Sequence, residues 1–214
     1  MAPTIPVRDG NGGFSLADGL GGEVINPLAQ MANTYNKNKI MKLNGFAGLA
    51  YNFLDHFTTE ANIQFNYAEV DSFSFDPIDF YGVGKVFNTV TSTVFEGFDI
   101  YRDYTFDGFI KYENTFNDAH KVNVLFGTSV FKTTGEFSGR KGTNIIDNSI
   151  ANASVDQAAI QENIYEERGS NPKFDARLLS YFTRFQYDYK GKYLLSGVLR
   201  RDGSTRFAPG NKFG

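Results

Sequence analysis

The side chains that most often carry out catalysis are few in this sequence and are not grouped. The chain contains two histidines and no cysteine, which excludes a thiol nucleophile, a thiolate metal site and a disulfide scaffold. His56 and His120 both fall in short segments with turn-like composition, and neither forms a convincing Ser-His-Asp grouping. We therefore expect a protein that is not an enzyme, has no catalytic residues and uses no cofactor.

The acidic residues also lack a spacing that is typical of a chemical site. Glu60 and Glu113 would work as paired glycosidase carboxylates only if they converged on one bond, which the sequence cannot show. Asp71, Asp76 and Asp79 offer oxygen ligands, but their spacing does not match a regular calcium-binding loop. We expect polar loop residues here and no metal site.

Aromatic residues are unusually abundant, and some of them lie where they could bind a sugar. The 22 Phe and 12 Tyr make up 16% of the chain. Within the segment VDSFSFDPIDFYG, the candidates for stacking against a sugar ring are Phe73, Phe75, Phe80 and Tyr81. A long loop must also bury aromatic side chains to stay ordered, so the sequence leaves glycan binding and simple packing equally open.

The elements that position these residues are predicted to be β-strands, because apolar and polar residues alternate along much of the chain. Between Phe57 and Tyr67 one set of alternate residues is almost wholly apolar or aromatic, and the other set is polar. The pattern returns in pairs and predicts three hairpins, at about residues 40–70, 104–136 and 178–203.

Short and long connections alternate between these segments. The turns within the hairpins, near residues 54–56, 117–120 and 190–192, are short and contain Asn, Asp or Gly. The intervening segments, residues 71–103 and 137–177, are long, and residues 154–167 predict a short helix in the second of them. Compact soluble domains rarely contain two such loops, whereas outer-membrane barrels combine short periplasmic turns with long extracellular loops.

The sequence therefore predicts an all-β fold, an antiparallel segment of about six to seven strands from a large transmembrane β-barrel. Aromatic residues near the short turns fit the girdle of such a barrel at the membrane interface. Two alternatives remain open: a soluble or surface carbohydrate-binding β-sandwich, and a passive porin. The predicted lipid-facing residues are Leu43, Leu49, Ile63, Phe65, Ile110, Val124, Phe126, Leu195 and Leu199. The predicted lumen-facing residues are Glu60, Asn62, Gln64, Asp107, Lys111, Glu113 and Arg184, and all of them except Asn62 are also candidates for substrate binding.

The segment LLSYFTRFQYDYKGKYLLSGVLRRDGSTRFAPGNKFG, residues 178–214, resembles the barrel signature of SusC/RagA-type TonB-dependent outer-membrane transporters of Bacteroidetes. Residues 2–7 (APTIPV), 26–29 (NPLA) and 51–54 (YNFL) agree with it in order. The resemblance implies an internal fragment of a barrel with about 22 strands. Residues 1–39 would be a partial extracellular loop, and residues 40–214 would be a partial TonB-dependent-receptor barrel domain.

The resemblance also implies a location and partners. A transporter of this family imports glycans, peptides or other large nutrients across the outer membrane of a Gram-negative, Bacteroidetes-like cell. Its partners would be outer-membrane lipid, a SusD-like lipoprotein, and the TonB complex, which it would contact through parts of the protein that these residues do not include. The formal net charge of −3 agrees with the expectation that no nucleic acid is bound. The charged run from Arg200 to Arg206 is interpreted as an extracellular strand end, with the bend at Asp202-Gly203.

Overall fold

The computed structural model describes residues 5–164 and 173–213 of the chain. Its fold is all-β, as predicted, with seven strands in the order β1-β2-β3-β4-β6-β7 and β5 paired with β4 outside that order. The strands are β1 (Tyr35–Phe53), β2 (Phe57–Asp76), β3 (Thr93–Phe116), β4 (His120–Ile145), β5 (Ala158–Ile164), β6 (Lys173–Tyr189) and β7 (Tyr193–Ser204). The pairs β4–β5, β4–β6 and β6–β7 are antiparallel.

Helical structure is confined to short segments in the described part of the chain. The helix α1 (Pro27–Ala32) begins after Asn26, whose side chain accepts a hydrogen bond from the backbone of Leu28. Two 3₁₀ turns, Ile150–Asn152 and Val155–Gln157, precede β5. Among the described residues, no helix has the length and apolar character needed to cross a membrane.

Three short turns connect β1 to β2, β3 to β4 and β6 to β7, as the turn residues predicted. Each turn begins with two residues in the left-handed region, with φ between 49° and 67°. Asn, Asp and Gly adopt this conformation most readily, which explains their presence. The residues concerned are Leu54 and Asp55, Asn117 and Asp118, and Lys190 and Gly191.

The strands next to the long connections extend further than the sequence predicted. β2 continues to Asp76 and β3 begins at Thr93, so the first connection covers residues 77–92 instead of 71–103. β4 likewise continues to Ile145. Phe73 and Phe75 are therefore strand residues, because the alternation that begins at Phe57 continues to the end of β2.

The helix predicted over residues 154–167 is wrong for the residues that the structure describes, and residues 165–167 lie outside them. Val155–Gln157 form a 3₁₀ turn, and the following strand β5 pairs with β4 from Gly139↔Ile164 to Ile145↔Ala158. Pairing of β4 with β6 ends at Glu136↔Lys173, which leaves the backbone of β4 beyond that point in need of partners. Satisfying those groups outweighs the weak preference of a short isolated segment for helix.

The chain divides into two compact units, which we call the packed unit and the sheet unit. The packed unit consists of Met1–Ile40, Val70–Asp99 and Phe137–Pro172. Its first cluster of buried side chains contains Phe75, Val94, Ile145, Val155 and Ala158. Its second cluster contains Ile25, Ala29 and Tyr81, with Phe14 packed against them.

The sheet unit consists of Met41–Glu69, Ile100–Glu136 and Lys173–Gly214. Among its described residues no apolar side chain is buried, and Ser180 is its one buried polar residue. Further backbone hydrogen bonds hold the turns of this unit to their neighbours: Glu113 N of β3 donates to His56 O of the first turn, and Lys190 N of the third turn donates to Ala119 O of the second, each at 2.9 Å. The sheet unit is therefore organised by backbone pairing and not by a core.

Candidate functional site

The register between β4 and β6 assigns the side chains of the sheet unit to two faces. It runs without interruption from His120↔Tyr189 to Glu136↔Lys173, and directly opposite residues of antiparallel strands share a face. We call one the apolar face, defined by Val122, Val124, Phe126 and Val130 with their partners Tyr187, Phe185, Thr183 and Leu179. We call the other the polar face, defined by Lys121, Asn123 and Leu125 with their partners Asp188, Gln186 and Arg184.

The apolar face continues onto β7 and carries large exposed side chains. Leu195 lies opposite Tyr187, and Leu199 lies opposite Thr183. Phe126 is 55% exposed and Leu199 is 75% exposed, although both lie in the middle of long strands. A sheet in a soluble domain covers such a face with another layer.

Aromatic rings collect at the edge of the sheet that bears the short turns, as the sequence predicted. The rings of Phe57 and Tyr112 lie 4.9 Å apart, and those of Phe53 and Phe57 lie 5.4 Å apart, centroid to centroid. His120, next to the second turn, contacts residues next to the third: its ring lies 5.0 Å from that of Tyr189, and its Nδ1 is 2.7 Å from the hydroxyl of Tyr187. Rings with a polar tip in a row of this kind are typical of a membrane interface.

The polar face contains a small network of charged and amide groups. Lys111 Nζ lies 2.7 Å from Glu113 Oε2, and Asn123 Nδ2 donates a hydrogen bond of 2.5 Å to Glu113 Oε1. Two of the predicted lumen-facing residues, Lys111 and Glu113, are thus in contact. Asn123 was not among the predicted residues, although it occupies a polar position of the same alternation, between Val122 and Val124.

An open cavity of about 270 Å³ on the same face brings three predicted residues together. Glu60, Lys111 and Arg184 line it, so both signs of charge are present around one space. The apolar part of its lining comes from Phe109, Leu125 and Phe182, and the rings of Phe109 and Phe182 lie 6.3 Å apart. Charged groups beside aromatic rings suit a polar solute that also presents a flat or apolar surface.

Phe109 and Phe182 are the two aromatic lining residues that sequence reasoning missed. Both occupy positions where the alternation predicts a polar residue, and this break in the pattern was the available signal. Phe182 lies directly opposite Gly127, where a Cβ atom would overlap its ring. Gly135 stands in the same relation to Phe174, so two glycines of β4 each face a phenylalanine of β6.

The remaining lumen-facing predictions are more scattered. Gln64 is exposed and Asp107 is half-buried, and neither lines the cavity described above. The side chain of Asn62 lies against Gly48, on the same face of the β1–β2 hairpin. Of the predicted lumen-facing residues, Glu60, Lys111 and Arg184 are therefore the three that line this cavity.

The four aromatic candidates of the packed unit differ in exposure. Phe75 is fully buried, its ring centroid is 5.9 Å from that of Tyr35, and Phe73 packs against the same cluster. Tyr81 is also buried, whereas Phe80 is 56% exposed. Packing is therefore the role that geometry supports for three of the four, and Phe80 alone among them presents an open ring.

Tyr81 also has an altered acidity. Burial, together with a hydrogen bond to Asp79, raises the pKa of Tyr81 to about 12. Asp79 in turn accepts a hydrogen bond from Asn33. The carboxylate of Asp79 is therefore hydrogen-bonded within the packed unit. The described residues contain no cluster of His and carboxylate side chains able to hold a metal ion.

The charged run near the end of the chain is built differently from the prediction. β7 continues through Ser204, so the expected bend at Asp202-Gly203 is wrong and the turn follows the strand. Arg200 Nε donates to Asp202 Oδ1 at 2.8 Å, and its Nη2 donates to Ser180 Oγ at 3.2 Å. The guanidinium of Arg201 lies over the Phe213 ring, 5.1 Å from its centroid. Internal contacts therefore account for the charges of Arg200, Arg201 and Asp202.

An antiparallel sheet with one apolar and one polar exposed face is typical of the strands of transmembrane β-barrels, and this is the class that the fold defines. Comparison with solved structures gives the same fold. The RagAB peptide transporter matches with a TM-score of 0.73 at 15% identity, over 95% of this chain and 22% of that one. The RagAB peptide importer in the "closed-closed" state matches with a TM-score of 0.73 at 16% identity, over 97% of this chain and 22% of that one.

Sequence comparison with curated proteins identifies a more particular resemblance, although no family model matches. TonB-dependent receptor P39 of Formosa agariphila is 28% identical over 194 residues, covering 88% of this chain and 17% of the relative. TonB-dependent receptor P3 of the same organism is 24% identical over 216 residues, covering 100% of this chain and 20% of the relative.

These matches confirm the predicted resemblance to a segment of a SusC/RagA-type TonB-dependent receptor. The chain spans about a fifth of the length of these relatives. Their names describe receptors and transporters and not enzymes, in agreement with the prediction from the sequence.

Proposed function

We propose that this chain forms part of a TonB-dependent transporter in the outer membrane that imports large nutrients together with a SusD-like lipoprotein. In this proposal residues 40–214 belong to the barrel domain, and residues 1–39 belong to an extracellular loop. The apolar face contacts lipid, and the polar face lines the lumen. Import is driven through the TonB complex, which contacts parts of the protein outside these residues.

The observation that carries this proposal is the absence of a buried apolar side chain among the described residues of the sheet unit. Long strands with large exposed apolar residues are unstable in water, because roughly 25 cal/mol is lost for each Å² of apolar surface left exposed. Lipid supplies the cover that the protein itself does not. The likeness to TonB-dependent receptors along almost the whole chain supports the same conclusion.

The same observation argues against a soluble carbohydrate-binding β-sandwich. A sandwich buries the inner faces of two stacked sheets, and its core contains alternate residues of both. In the sheet unit, the alternate residues of β4, β6 and β7 that would form such a core include Phe126 and Leu199, which are exposed. The sandwich alternative therefore lacks the packing that defines it.

The substrate-contacting residues that we propose are Glu60, Lys111 and Arg184 on the polar face, with Glu113 supporting Lys111. A peptide would be recognised by opposite charges, with its carboxylates at Arg184 and its ammonium groups at Glu60. A glycan would instead stack against the exposed ring of Phe80. The solved relatives named as peptide transporters support the peptide as substrate, while the exposed ring supports the glycan.

The experiment that tests the transport function measures uptake of labelled oligopeptides and oligosaccharides by cells that produce the full-length protein. Active import should stop when a protonophore dissipates the proton-motive force. It should also require the SusD-like lipoprotein. Uptake that continues unchanged with the protonophore would support the passive porin and contradict our proposal.

Variants of the full-length protein then separate the two substrate classes. Arg184→Gln should reduce peptide uptake about tenfold, because one charge-assisted hydrogen bond is lost. Phe80→Ala should reduce oligosaccharide uptake and leave peptide uptake unchanged. The matched control for charge is Lys192→Gln, in an exposed turn, which should alter neither. Equal effects of Arg184→Gln and Lys192→Gln on both substrates would contradict the assigned polar-face site.

A further inference from the structure

Charged side chains replace apolar ones on the apolar face, at the end of β4 and β6 that lies away from the short turns. Lys132 lies opposite Arg177, and Glu136 lies opposite Lys173. On this face Lys132↔Arg177 is the next pair after the apolar pair Val130↔Leu179. Glu136↔Lys173 comes later in the register, after Thr134↔Asp175. The character of this face therefore changes over a few residues, although the strands continue without interruption.

These charges form two groups, in each of which one carboxylate is shared by two cations. Glu136 lies 3.4 Å from Arg102 and 3.8 Å from Lys173. Asp175 lies 2.9 Å from Arg177 and 3.6 Å from Lys132. We call the six residues the cationic belt: Arg102, Lys132, Lys173 and Arg177, with Glu136 and Asp175.

The belt is positively charged on a chain that is negative overall. Its four cations and two carboxylates carry a formal charge of +2, whereas the whole chain carries −3. The side chains of the belt are between 34% and 69% exposed. Ion pairs as exposed as these add little to stability, so stability alone does not account for the belt.

The two faces exchange character at this level of the sheet. On the polar face, the corresponding pairs are Phe131↔Leu178, Thr133↔Ala176 and Gly135↔Phe174, and none of them is charged. On the apolar face, the alternating positions carry Lys132 with Arg177 and Glu136 with Lys173. The cations are therefore specific to the face on which lipid is expected.

The distance from the turn edge to the belt matches the thickness of an outer membrane. From His120 to Val130 the strand makes ten residue steps of about 3.3 Å, or roughly 33 Å along its axis. A tilt of about 40° reduces this to a height of about 25 Å, which is the height of the apolar band of an outer-membrane barrel. The belt thus begins where hydrocarbon gives way to the headgroups of the outer leaflet.

We propose that the cationic belt binds the phosphate groups of lipid headgroups in the outer leaflet of the membrane. This inference rests on the proposed function, since it requires the apolar face to lie in lipid. Phosphate oxygens are strong hydrogen-bond acceptors, and guanidinium groups bind them with two parallel bonds. Asp175 neutralises one of the two cations in its group, Lys132 and Arg177, and the remaining positive charge of this group is met by phosphate.

The test uses the full-length protein in lipid nanodiscs of phosphatidylcholine with phosphatidic acid as the phosphomonoester probe. Native mass spectrometry counts the lipids of each kind that stay bound. The double variant Lys132→Gln, Arg177→Gln should weaken phosphatidic acid retention about 30-fold, equivalent to ~1 kcal/mol for each cation removed, and leave phosphatidylcholine unchanged. The matched control is Lys121→Gln, Lys192→Gln, which removes two exposed cations at the turn edge and should alter neither lipid.

A second variant distinguishes lipid binding from a purely structural role of the ion pairs. Asp175→Asn breaks the same pairs but raises the positive charge, so phosphatidic acid retention should increase. If the pairs served structure only, Asp175→Asn and the double variant would have the same effect, and the proposal would be overturned.

Two further outcomes separate the proposals and the possible sources of phosphate. Suppose that free inorganic phosphate binds to the belt and that the protein shows no preference for phosphatidic acid when inorganic phosphate is absent. This result would overturn lipid binding. A full-length protein that does not enter nanodiscs contradicts the outer-membrane transporter itself. Entry with equal retention of both lipids contradicts only the role of the belt.

Discussion

Both the packed unit and the sheet unit contain strands in which apolar and polar residues alternate. Among the described residues, apolar side chains are buried only in the packed unit, and those of the sheet unit are exposed or half-buried. All nine buried apolar residues among those described lie in the packed unit, from Ala17 to Ala158. In the sheet unit, equally large side chains such as Phe126 and Leu199 are exposed. Alternation of apolar and polar residues therefore specifies a strand with two unlike faces, and it does not specify what covers the apolar one.

Polar contacts show the same division. In the packed unit Lys85 is 5% exposed, and its ammonium group donates to Leu20 O and Gly21 O at 3.1 Å. Asn26 is 2% exposed, and its side-chain amide donates to Val7 O at 2.8 Å and Ser15 O at 3.3 Å. Buried polar groups require such partners. The packed unit thus has the interior of a water-soluble domain, whereas the sheet unit depends on its surroundings.

The largest expected effect comes from opening the core of the packed unit. Phe75→Ala should destabilise this unit by about 3–5 kcal/mol, because a fully buried ring is removed and leaves a cavity. Hydrogen exchange of the β5 amides in the reconstituted full-length protein measures the change. Phe80→Ala is the control in the same unit, since its ring is 56% exposed and its loss should matter by less than about 0.5 kcal/mol. Similar loss of protection in both variants would show that the first cluster is not a core.

A somewhat smaller effect should separate the two faces of the sheet unit. Ile63→Arg should disfavour insertion by about 2–4 kcal/mol, the cost of a charge at the bilayer midplane, whereas Asn62→Arg should be tolerated. Ile63 is 52% exposed, so water alone would accept the arginine. Folding of the full-length protein into vesicles, followed by gel mobility with and without heating, gives the comparison. Equal insertion of the two variants would contradict the assignment of the faces.

The smallest effect concerns the backbone on which the sheet unit depends. Leu54 has φ 50°, which is costly for a residue with a branched side chain, so Leu54→Gly should stabilise the hairpin by about 0.5–1 kcal/mol. The denaturant midpoint of the reconstituted protein measures this. Lys192→Gly, at a turn residue outside the positive-φ set, should give no gain. A gain at both positions would point to chain flexibility instead of relief of strain.

The sequence predicted much of the sheet unit because its strands and turns follow from local patterns. Period-two alternation located the hairpins, and Asn117, Asp118 and Gly191 located two of the turns. The pattern also grouped Glu60, Lys111 and Arg184 on one face, which the cavity brings together. Local chemistry determines these features, so a single sequence is enough to predict them.

The packed unit was predicted less well because its structure depends on contacts between distant residues. β5 forms where residues 158–164 meet the free edge of β4, and nothing within 154–167 indicates that edge. Whether Phe75 is buried or open to a sugar depends equally on Val94 and Val155, which are distant in sequence. The register-dependent contact of Phe109 with Phe182 lies beyond local patterns for the same reason.

The paired glycines and phenylalanines of β4 and β6 bear on how such a sheet bends. Gly127 and Gly135 remove side-chain bulk from the polar side of β4, and Phe182 and Phe174 of the neighbouring strand cover the backbone that is left bare. Glycine kinks of this kind let strands curl, and an aromatic ring restores the contact that a missing side chain gives up. A side chain larger than glycine at either position would overlap the phenylalanine ring opposite it, so the close cross-strand contact depends on both members of each pair.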